Sequence, residues 1–266
     1  MRTVRTVAEV REALREPRAR GERIGLVPTM GAFHAGHLAL IRASREACDC
    51  VVVSLFVNPS QFNATEDLAR YPRDEEADAA LALEAGVDLL FAPTPEELYP
   101  PGFDTWVEPG ELAFALEGAA RPGHFRGVAT VCTKLFAIVQ PAVAFFGRKD
   151  AQQVAVVKQV VADLHLSVEI EALPTVRDPD GLALSSRNVF LSPAERASAL
   201  SLPRALDAGL EAHRSGGDAV AATRAVLDAV RGLIVDYVAV ADLDGETLAA
   251  AIRVGGTRLI DNVLLD

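Results

Sequence analysis

Lysine is scarce in this sequence. Among the 26 basic residues only Lys134, Lys149 and Lys158 are lysines, whereas the acidic residues number 37, so the formal net charge is −11 at pH 7. Such a chain lacks the broad basic surface that binds nucleic-acid phosphates, which argues against a nucleic-acid-binding protein. Because lysine is used so rarely, each of the three is unusual enough to examine, and an anionic substrate would need basic residues that are gathered locally.

Cysteine and long apolar runs are also rare. The three cysteines, at positions 48, 50 and 132, are odd in number and lack the spacing of zinc ligands, so neither a disulfide framework nor a zinc site is predicted. The most apolar stretch, residues 128–146, is interrupted by a lysine, a glutamine and a proline, and the N-terminus has no apolar leader segment. We therefore expect a soluble, cytoplasmic protein without a membrane span.

Short apolar runs alternate with amphipathic segments through the first two thirds of the chain. Buried strands are predicted at residues 24–27, 50–57, 89–92, 143–146 and 168–170. Helical spacing predicts helices at 5–20, up to 47, at 74–86, up to 139 and from 151. This alternation is typical of an α/β domain with a parallel sheet.

The remaining third has a different pattern. A connector rich in proline, aspartate and glycine, residues 174–181, separates the two parts. The elements predicted after it are a helix from residue 192, a helix at 218–231 and strands at 235–240 and 258–264. The predicted domains are thus an α/β domain at 1–175 and a smaller α+β domain at 176–266.

The first buried strand is followed by a turn that contains glycine and histidine. It runs from Pro28 through Gly31 and Gly36 into a helix whose first N–H groups lack partners. His34 and His37 are three residues apart, so they lie on one side of the first helical turn. A strand, a glycine turn and a helix N-terminus together form an anion site, although two histidines at this spacing can also be ordinary surface residues. No glutamate follows at the spacing of a zinc-binding His-Glu-x-x-His motif.

Polar residues follow two more of the predicted strands. Asn58 and Gln61 come after the strand at 50–57, and Lys149 and Asp150 come after the strand at 143–146. The carboxyl ends of parallel strands face the crevice where such sheets bind ligands. Each string is also compatible with a plain turn, so the prediction depends on their agreement.

The string His34-Ala35-Gly36-His37 resembles the H-x-G-H signature of the nucleotidylyltransferase superfamily. The longer string Pro-Thr-Met-Gly-Ala-x-His-x-Gly-His, which starts at Pro28, is similar to that of the pantoate–β-alanine ligase (pantothenate synthetase) family. Further strings of that family occur in the same order, namely V-N-P-x-Q-F at 57–62, Y-P-R at 71–73, R-P-x-H-F-x-G-V at 121–128, F-G-x-K-D-x-Q-Q at 146–153 and S-S-R-N at 185–188. Three positions depart from the family strings: Asp74 replaces a threonine, Ala151 an aromatic residue and Leu184 a methionine.

The resemblance implies a role for each candidate residue. The implied catalytic residues are His34, His37, Lys149 and Arg187. The implied ATP contacts are Pro28, Thr29, Met30, Gly31, His34, Gly36, His37, Gly147, Arg148, Lys149, Asp150, Val176, Leu184, Ser185, Ser186 and Arg187. Pantoate and β-alanine would contact Met30, Asn58, Gln61 and Gln153, and Asp78 would bind Mg²⁺ near the ATP phosphates. The segment at 121–128 would border the cleft, and its arginines and histidine suggest an anion-facing loop.

The resemblance also implies a Rossmann-like N-terminal domain, a C-terminal lid that carries the S-S-R-N loop, and a homodimer. The implied reaction condenses pantoate with β-alanine through a pantoyl adenylate and releases AMP and pyrophosphate. Two alternatives are a nucleotidylyltransferase that adenylates a phosphorylated small molecule, and a non-catalytic nucleotide-binding regulator. Gln61 and Gln153 favour a neutral and carboxylate substrate over a second phosphate, and the intact histidine pair argues against the regulator.

Overall fold

The structure is a computed structural model that describes residues 1–62 and 65–265, except for the side chains of residues 65–67. The chain forms two compact units. The first comprises Met1–Gly147 and Gln153–Leu173, and the second comprises Arg148–Gln152 and Pro174–Asp266. The short segment Arg148–Gln152 therefore belongs to the second unit although it connects two parts of the first.

Six parallel strands form the sheet of the first unit. In chain order they are β1 (Arg2–Val4), β2 (Ile24–Thr29), β3 (Cys50–Leu55), β4 (Leu89–Phe91), β5 (Val143–Gly147) and β6 (Glu169–Leu173). Their order across the sheet is β1-β4-β3-β2-β5-β6. From β2 the chain builds outward to β3 and β4, and it then crosses to the other side of β2 as β5 and β6. The carboxyl ends of β2 and β5 therefore mark the topological switch point, where open parallel sheets bind ligands.

Helices cover both faces of this sheet. They are α1 (Val7–Ala13), α2 (Arg15–Ala19), α3 (Ala35–Ala47), α4 (Thr65–Arg70), α5 (Glu75–Glu84), α6 (Pro95–Leu98), α7 (Glu117–Ala120), α8 (His124–Val139) and α9 (Ala151–Asp163). One core cluster joins α1, α8 and α9 to the face that contains Leu26, and another joins α3 and α5 to the face that contains Val27. Successive side chains of a strand point to opposite faces, so a strand that is buried on both faces is a continuous apolar run.

The second unit packs helices against an antiparallel sheet. Its elements are α10 (Pro193–Ala199), α11 (Ser201–Arg214), α12 (Ala219–Asp228), β7 (Leu233–Asp242), β8 (Glu246–Val254) and β9 (Thr257–Leu264). The strand order is β7-β8-β9. Leu206 of α11 and Leu227 of α12 share a core cluster with Leu248 and Ile252 of the central strand β8.

The predicted fold class is confirmed, because a parallel α/β sheet is followed by a smaller α+β unit. Several boundaries differ. The predicted strand at 24–27 extends to Thr29, so Pro28 lies in β2 rather than in the turn. The strand tolerates this proline, which has no N–H to donate, because the pairing of β2 with β5 ends at Leu26. The glycine- and arginine-rich loop ends sooner than predicted, because α8 already begins at His124.

Other elements were missed by the sequence pattern. The edge strand β1 is only 3 residues long, and the predicted helix at 5–20 is divided into α1 and α2 at Leu14. α6 lies in the predicted loop at 93–101. β8 was missed because its buried centre, residues 249–251, consists of alanines, which have a low strand propensity.

No helix in the described ranges is long and apolar enough to span a membrane. The three cysteines are buried and form no disulfide. Burial raises the pKa of the Cys132 thiol to about 12 and that of Cys50 to about 11. These thiols therefore stay protonated at neutral pH and pack as small apolar side chains.

Candidate functional site

The two histidines of the H-x-G-H string cap helix α3. His34 is the N-cap residue, and its Nδ1 accepts a hydrogen bond from the backbone N–H of Gly36 at 3.2 Å. Nδ1 of His37 accepts from the backbone N–H of His34 at 3.3 Å, and the two ring centroids are 4.2 Å apart. This is a capping box in which imidazoles take the usual place of a hydroxyl and a carboxylate. A Cβ atom at Gly36 would lie 2.9 Å from Cε1 of His34, so the glycine allows the His34 ring to fold back over the helix end.

The caps determine the tautomer of both rings. A backbone N–H can only donate, so both Nδ1 atoms must be acceptors and each neutral ring carries its proton on Nε2. Protonation at Nδ1 would place an N–H against an N–H and break the cap. The start of α3 therefore combines two neutral Nε2–H donors with the positive end of a helix dipole, which is a favourable environment for a phosphate.

Asp78 holds the turn that precedes this helix. Its two carboxylate oxygens accept the backbone N–H groups of Phe33 at 2.7 Å and Ala32 at 2.9 Å, and the side chain is 3% exposed. Ala32 has φ +53° and Gly31 has φ +87°; a Cβ atom at Gly31 would lie 2.8 Å from Oδ2 of Asp78. Burial raises the pKa of Asp78, and the two backbone hydrogen bonds oppose that shift. The carboxylate thus fixes a turn that needs left-handed backbone at two consecutive residues.

This contact bears on the predicted metal role of Asp78. Each of its oxygens already accepts one hydrogen bond, which leaves only the remaining lone pairs for a cation. Within the described ranges, His, Cys, Asp and Glu side chains form no group of three or more that could hold a metal ion. The observed task of Asp78 is to hold the turn, and its metal role remains a prediction.

Asn58 and Gln61 form a buried amide network beyond the end of β3. Nδ2 of Asn58 donates to Oε1 of Gln61 at 3.0 Å and to the carbonyl of Gly127 at 3.1 Å, while its Oδ1 accepts from the hydroxyl of Tyr99 at 2.9 Å. These partners determine the orientation of both amides, because Oε1 of Gln61 must face the Asn58 donor. Nε2 of Gln61 donates to Sδ of Met30 at 3.0 Å, and a thioether is a weak acceptor. A ligand oxygen would therefore be a better partner for Gln61 than the one that it has.

The string at 121–128 supports this network. The carbonyl of Gln61 lies 3.0 Å from Nδ1 of His124, and it accepts from the Arg121 guanidinium at 3.2 Å. A Cβ atom at Gly127 would lie 2.4 Å from the carbonyl oxygen of Ser60, so only glycine permits the close approach of α8. Arg121 and His124 thus contact the backbone of the Gln61 segment, and the anion-facing role of this string remains a prediction.

Sequence reasoning also missed the aromatic support around Asn58. Tyr99 lies 41 residues from Asn58, and no spacing signal links them. Nζ of Lys134 lies 4.2 Å from the ring centroid of Phe103 and 5.3 Å from that of Tyr99, so this lysine makes cation–π contacts. Burial lowers the pKa of Lys134.

In the second unit, the turn Arg148–Asp150 is held by two side chains. The Arg148 guanidinium donates to Oδ2 of Asp244 at 2.9 Å and also to the Asp244 carbonyl. Nδ2 of Asn262 donates to the carbonyls of Arg148 and Lys149, each at 2.9 Å. Nζ of Lys149 lies 3.8 Å from Oδ1 of Asp150, and the Lys149 side chain is 17% exposed. The guanidinium of Arg148, a predicted ATP contact, is thus directed at Asp244, whereas the Lys149 backbone is fixed by Asn262.

The S-S-R-N loop and Val176 lie close together in the second unit. The N–H of Leu184 donates to the carbonyl of Val176 at 2.9 Å. Oγ of Ser185 accepts from the N–H of Arg187 at 3.3 Å and caps a short 3₁₀ helix, Ser186–Phe190. Among the described residues, no acidic side chain forms an ion pair with Arg187. Its guanidinium is therefore suited to meet an anionic ligand.

Three further predicted residues lie at the ends of strands or at the start of a helix. Thr29 ends β2, and its hydroxyl donates to the carbonyl of Ser54 at 2.6 Å, so its side chain is occupied within the sheet. Gly147 ends β5, and Gln153 lies in the first turn of α9.

The model of the Pantoate-beta-alanine ligase family matches residues 2–264 of this chain. The pantothenate synthetase of Roseiflexus sp. (strain RS-1) is 53% identical over 280 residues, which cover 100% of each chain. The crystal structure of pantothenate synthetase from Thermus thermophilus is 51% identical, with a TM-score of 0.94 and coverage of 100% of this chain and 99% of that one.

A further solved relative was crystallised with ligands. It is the pantoate-beta-alanine ligase from Francisella tularensis, complexed with beta-gamma ATP and beta-alanine. It is 34% identical to this chain, with a TM-score of 0.87 and coverage of 100% of this chain and 98% of that one. The family model and these relatives span nearly the whole length of this chain. The chain therefore belongs to the pantoate–β-alanine ligase family.

Proposed function

We propose that this chain joins pantoate to β-alanine in two steps that consume ATP. The pantoate carboxylate attacks the α-phosphorus of ATP, which forms pantoyl adenylate and releases pyrophosphate. The amine of β-alanine then attacks the acyl carbon, loses a proton and displaces AMP. Family membership supports this reaction, and the relative from Francisella tularensis was crystallised with beta-gamma ATP and beta-alanine. The observation that carries the proposal is the pair of Nδ1-capped histidines at the start of α3.

The first step needs hydrogen-bond donors rather than a base. The attacking carboxylate is already ionised at pH 7. Catalysis therefore depends on positioning the reactants and on stabilising the charge that develops on the phosphates. His34 and His37 supply neutral donors from Nε2, and the helix dipole adds partial positive charge. Because proton transfer from a neutral imidazole would leave an imidazolate, we assign these rings to hydrogen bonding and not to general acid catalysis.

The positive charge would come from a lysine and an arginine. We assign Lys149 and Arg187 to the phosphates, Ser185, Ser186, Val176 and Leu184 to the nucleotide, and Asp150 to the ribose hydroxyls. The Arg187 guanidinium, which no described acidic side chain pairs, supports its part. Arg148 pairs with Asp244, so we expect it to contact ATP only through its backbone.

Pantoate is assigned to the amide network. Gln61 holds its Nε2–H against the weak acceptor Met30, so an oxygen of pantoate would gain a stronger bond by replacing the sulfur. Asn58 then acts as the fixed partner that orients Gln61, since its own donors and acceptor are satisfied within the protein. Gln153 is the further proposed substrate contact.

Mg²⁺ would neutralise the charge on the ATP phosphates when it is bound. From the family resemblance we further propose a homodimer in the cytoplasm, where ATP is supplied. Light scattering on the purified chain would test the dimer.

One assay separates the candidate functions. With ATP, Mg²⁺ and pantoate alone, we expect a burst of pyrophosphate release; added β-alanine should restore turnover and give AMP and pantothenate, identified by mass spectrometry. A nucleotidylyltransferase would release pyrophosphate with a phosphorylated substrate and would not respond to β-alanine. A nucleotide-binding regulator would release none with any carboxylic acid, and that result would overturn the proposal.

A further inference from the structure

Asn262 contacts the Arg148–Asp150 turn in a way that depends on its amide. It lies in β9 and is 7% exposed. Its Nδ2 carries two N–H donors, and the two consecutive carbonyls of Arg148 and Lys149 accept from it at 2.9 Å each. An aspartate of the same size, ionised, would have no donor for either carbonyl.

The backbone of Asn262 is itself fixed from the neighbouring position. Asp261 is 2% exposed, and its Oδ1 accepts the N–H of Asn262 at 2.9 Å and the Arg177 guanidinium at 3.0 Å. Burial raises the pKa of Asp261, while the Arg177 bond and the positive charge of Lys149 oppose this shift. The Asp261 carboxylate thus anchors Asn262 and also attracts the Lys149 ammonium.

The first residue of the turn is held a second time, by the pair between the Arg148 guanidinium and Asp244. The residue before Lys149 is therefore held by its side chain and by its carbonyl, and Lys149 itself by its carbonyl. The Lys149 side chain is a point charge on a flexible four-carbon stem, so its reach is defined only if its Cα atom is held in place. A displacement of about 1 Å in a group that positions a reacting atom can reduce a rate by about 10²-fold.

We propose that Asn262 is a positioning residue for the ATP-dependent step: by binding the carbonyls of Arg148 and Lys149 it holds the Lys149 ammonium where it meets the phosphates. This inference rests on the proposed role of Lys149 in adenylation. Asn262 touches no substrate in this scheme and acts only through Lys149.

A double-mutant cycle tests the inference. Asn262→Ala should slow adenylation, measured as pyrophosphate release with ATP and pantoate, by about 10–100-fold. The KM values for pantoate and β-alanine should stay within about twofold. In a Lys149→Ala background, the same substitution should change adenylation by less than about twofold, because residues that act as one unit are not additive.

The matched control is Thr223→Val. Thr223 is 0% exposed, and its hydroxyl donates to the carbonyl of Ala219 at 2.8 Å, so the variant removes another buried bond from a side chain to a carbonyl in the second unit. It should lower the melting temperature but leave adenylation within about twofold of wild type. If Asn262→Ala does not fold, Asn262→Ser, which keeps one hydroxyl donor, takes its place in the same cycle.

Two contrary outcomes are distinguishable. If Lys149→Ala adenylates at the wild-type rate, the proposed function of Lys149 fails, and the role of Asn262 fails with it. If Lys149→Ala is slow but the effect of the Asn262 variant is just as large in that background, the reaction uses Lys149 while Asn262 does not act through it. The second result overturns the positioning role alone.

Discussion

Two turns that follow neighbouring strands carry side chains suited to phosphates, and they are held by opposite chemistry. The turn after β2 is held by the carboxylate of Asp78, which accepts two backbone N–H groups. The turn after β5 is held by the amide of Asn262, which donates to two backbone carbonyls. In both cases the residue that holds the turn is buried and lies outside the H-x-G-H and K-D strings themselves.

The difference follows from the backbone groups that each turn leaves unpaired. Before α3, N–H groups are in excess, so an acceptor is needed. Burial of that acceptor raises the pKa of Asp78, and the two backbone hydrogen bonds that it accepts oppose the shift. Around Lys149, carbonyls are in excess, and an unpaired carbonyl would repel an incoming phosphate. The Asn262 amide pairs the carbonyls of Arg148 and Lys149, so these two oxygens are not left to repel an anion near Lys149. Each of these turns thus depends on the buried partner that satisfies its remaining backbone groups.

The largest expected effect concerns the turn after β2. His37→Ala removes one cap of α3 and the proposed hydrogen-bond donor to a phosphate, so adenylation should fall by ~10²–10³-fold while the fold is retained. His213→Ala, in the last turn of α11, is the control and should stay within about twofold. Pyrophosphate release near the wild-type rate from folded His37→Ala would remove this histidine from the chemistry.

A substitution in the turn after β5 should reduce the adenylation rate by a smaller factor. Lys149→Ala should slow adenylation by about 10²-fold, because a charge that stabilises the transition state is lost. Amide formation from pantoyl adenylate that is supplied directly should change much less. Lys158→Ala, another of the three lysines, is the matched control on α9. A Lys149 variant that is slow only with supplied pantoyl adenylate would assign the second turn to β-alanine instead.

Asp78→Asn tests what holds the first turn. An amide offers one acceptor oxygen instead of two, so one of the N–H groups of Ala32 and Phe33 loses its partner, and adenylation should fall by about tenfold. The dependence of the rate on Mg²⁺ concentration should keep its midpoint. Asp74→Asn is the control, because asparagine caps helix α5 about as well as aspartate. Recovery of the Asp78 variant at high Mg²⁺ would instead support the metal role.

The smallest effect should be limited to one substrate. Gln61→Ala should raise the KM for pantoate by about tenfold, since one hydrogen bond to a charged ligand is lost. ATP affinity, measured by calorimetry, should stay within about twofold. Gln159→Ala, which removes an exposed amide from α9, provides the control. A fall in ATP affinity with unchanged pantoate binding would show that the amide network serves the nucleotide.

Much of the sheet could be predicted from the sequence because its strands are buried on both faces. Continuous apolar runs at β3 and β5, each followed by polar residues, are a strong local signal. β8 was missed because its alanines have no such signal, and β1 because its 3 residues are too few for a period.

Asp78 and Asn262, the two side chains that hold the turns, could not be predicted from spacing. Asp78 lies 45 and 46 residues from its partners, and Asn262 lies 113 and 114 residues from its own. Arg148 illustrates the same limit. It lies beside a lysine in a string that is predicted to bind an anion, yet its guanidinium is directed at Asp244, 96 residues away. The strings identified the turns, whereas the side chains that hold them are brought together only by the fold.

A quenched single-turnover reaction analysed by mass spectrometry shows whether both turns act in adenylation. With ATP, Mg²⁺ and pantoate but no β-alanine, the wild-type chain should accumulate pantoyl adenylate, and His37→Ala and Lys149→Ala should each form it at least about tenfold more slowly. Added β-alanine should then convert the accumulated intermediate to pantothenate. Formation of pantoyl adenylate at the wild-type rate by either folded variant would show that the turn carrying the substituted residue takes no part in adenylation.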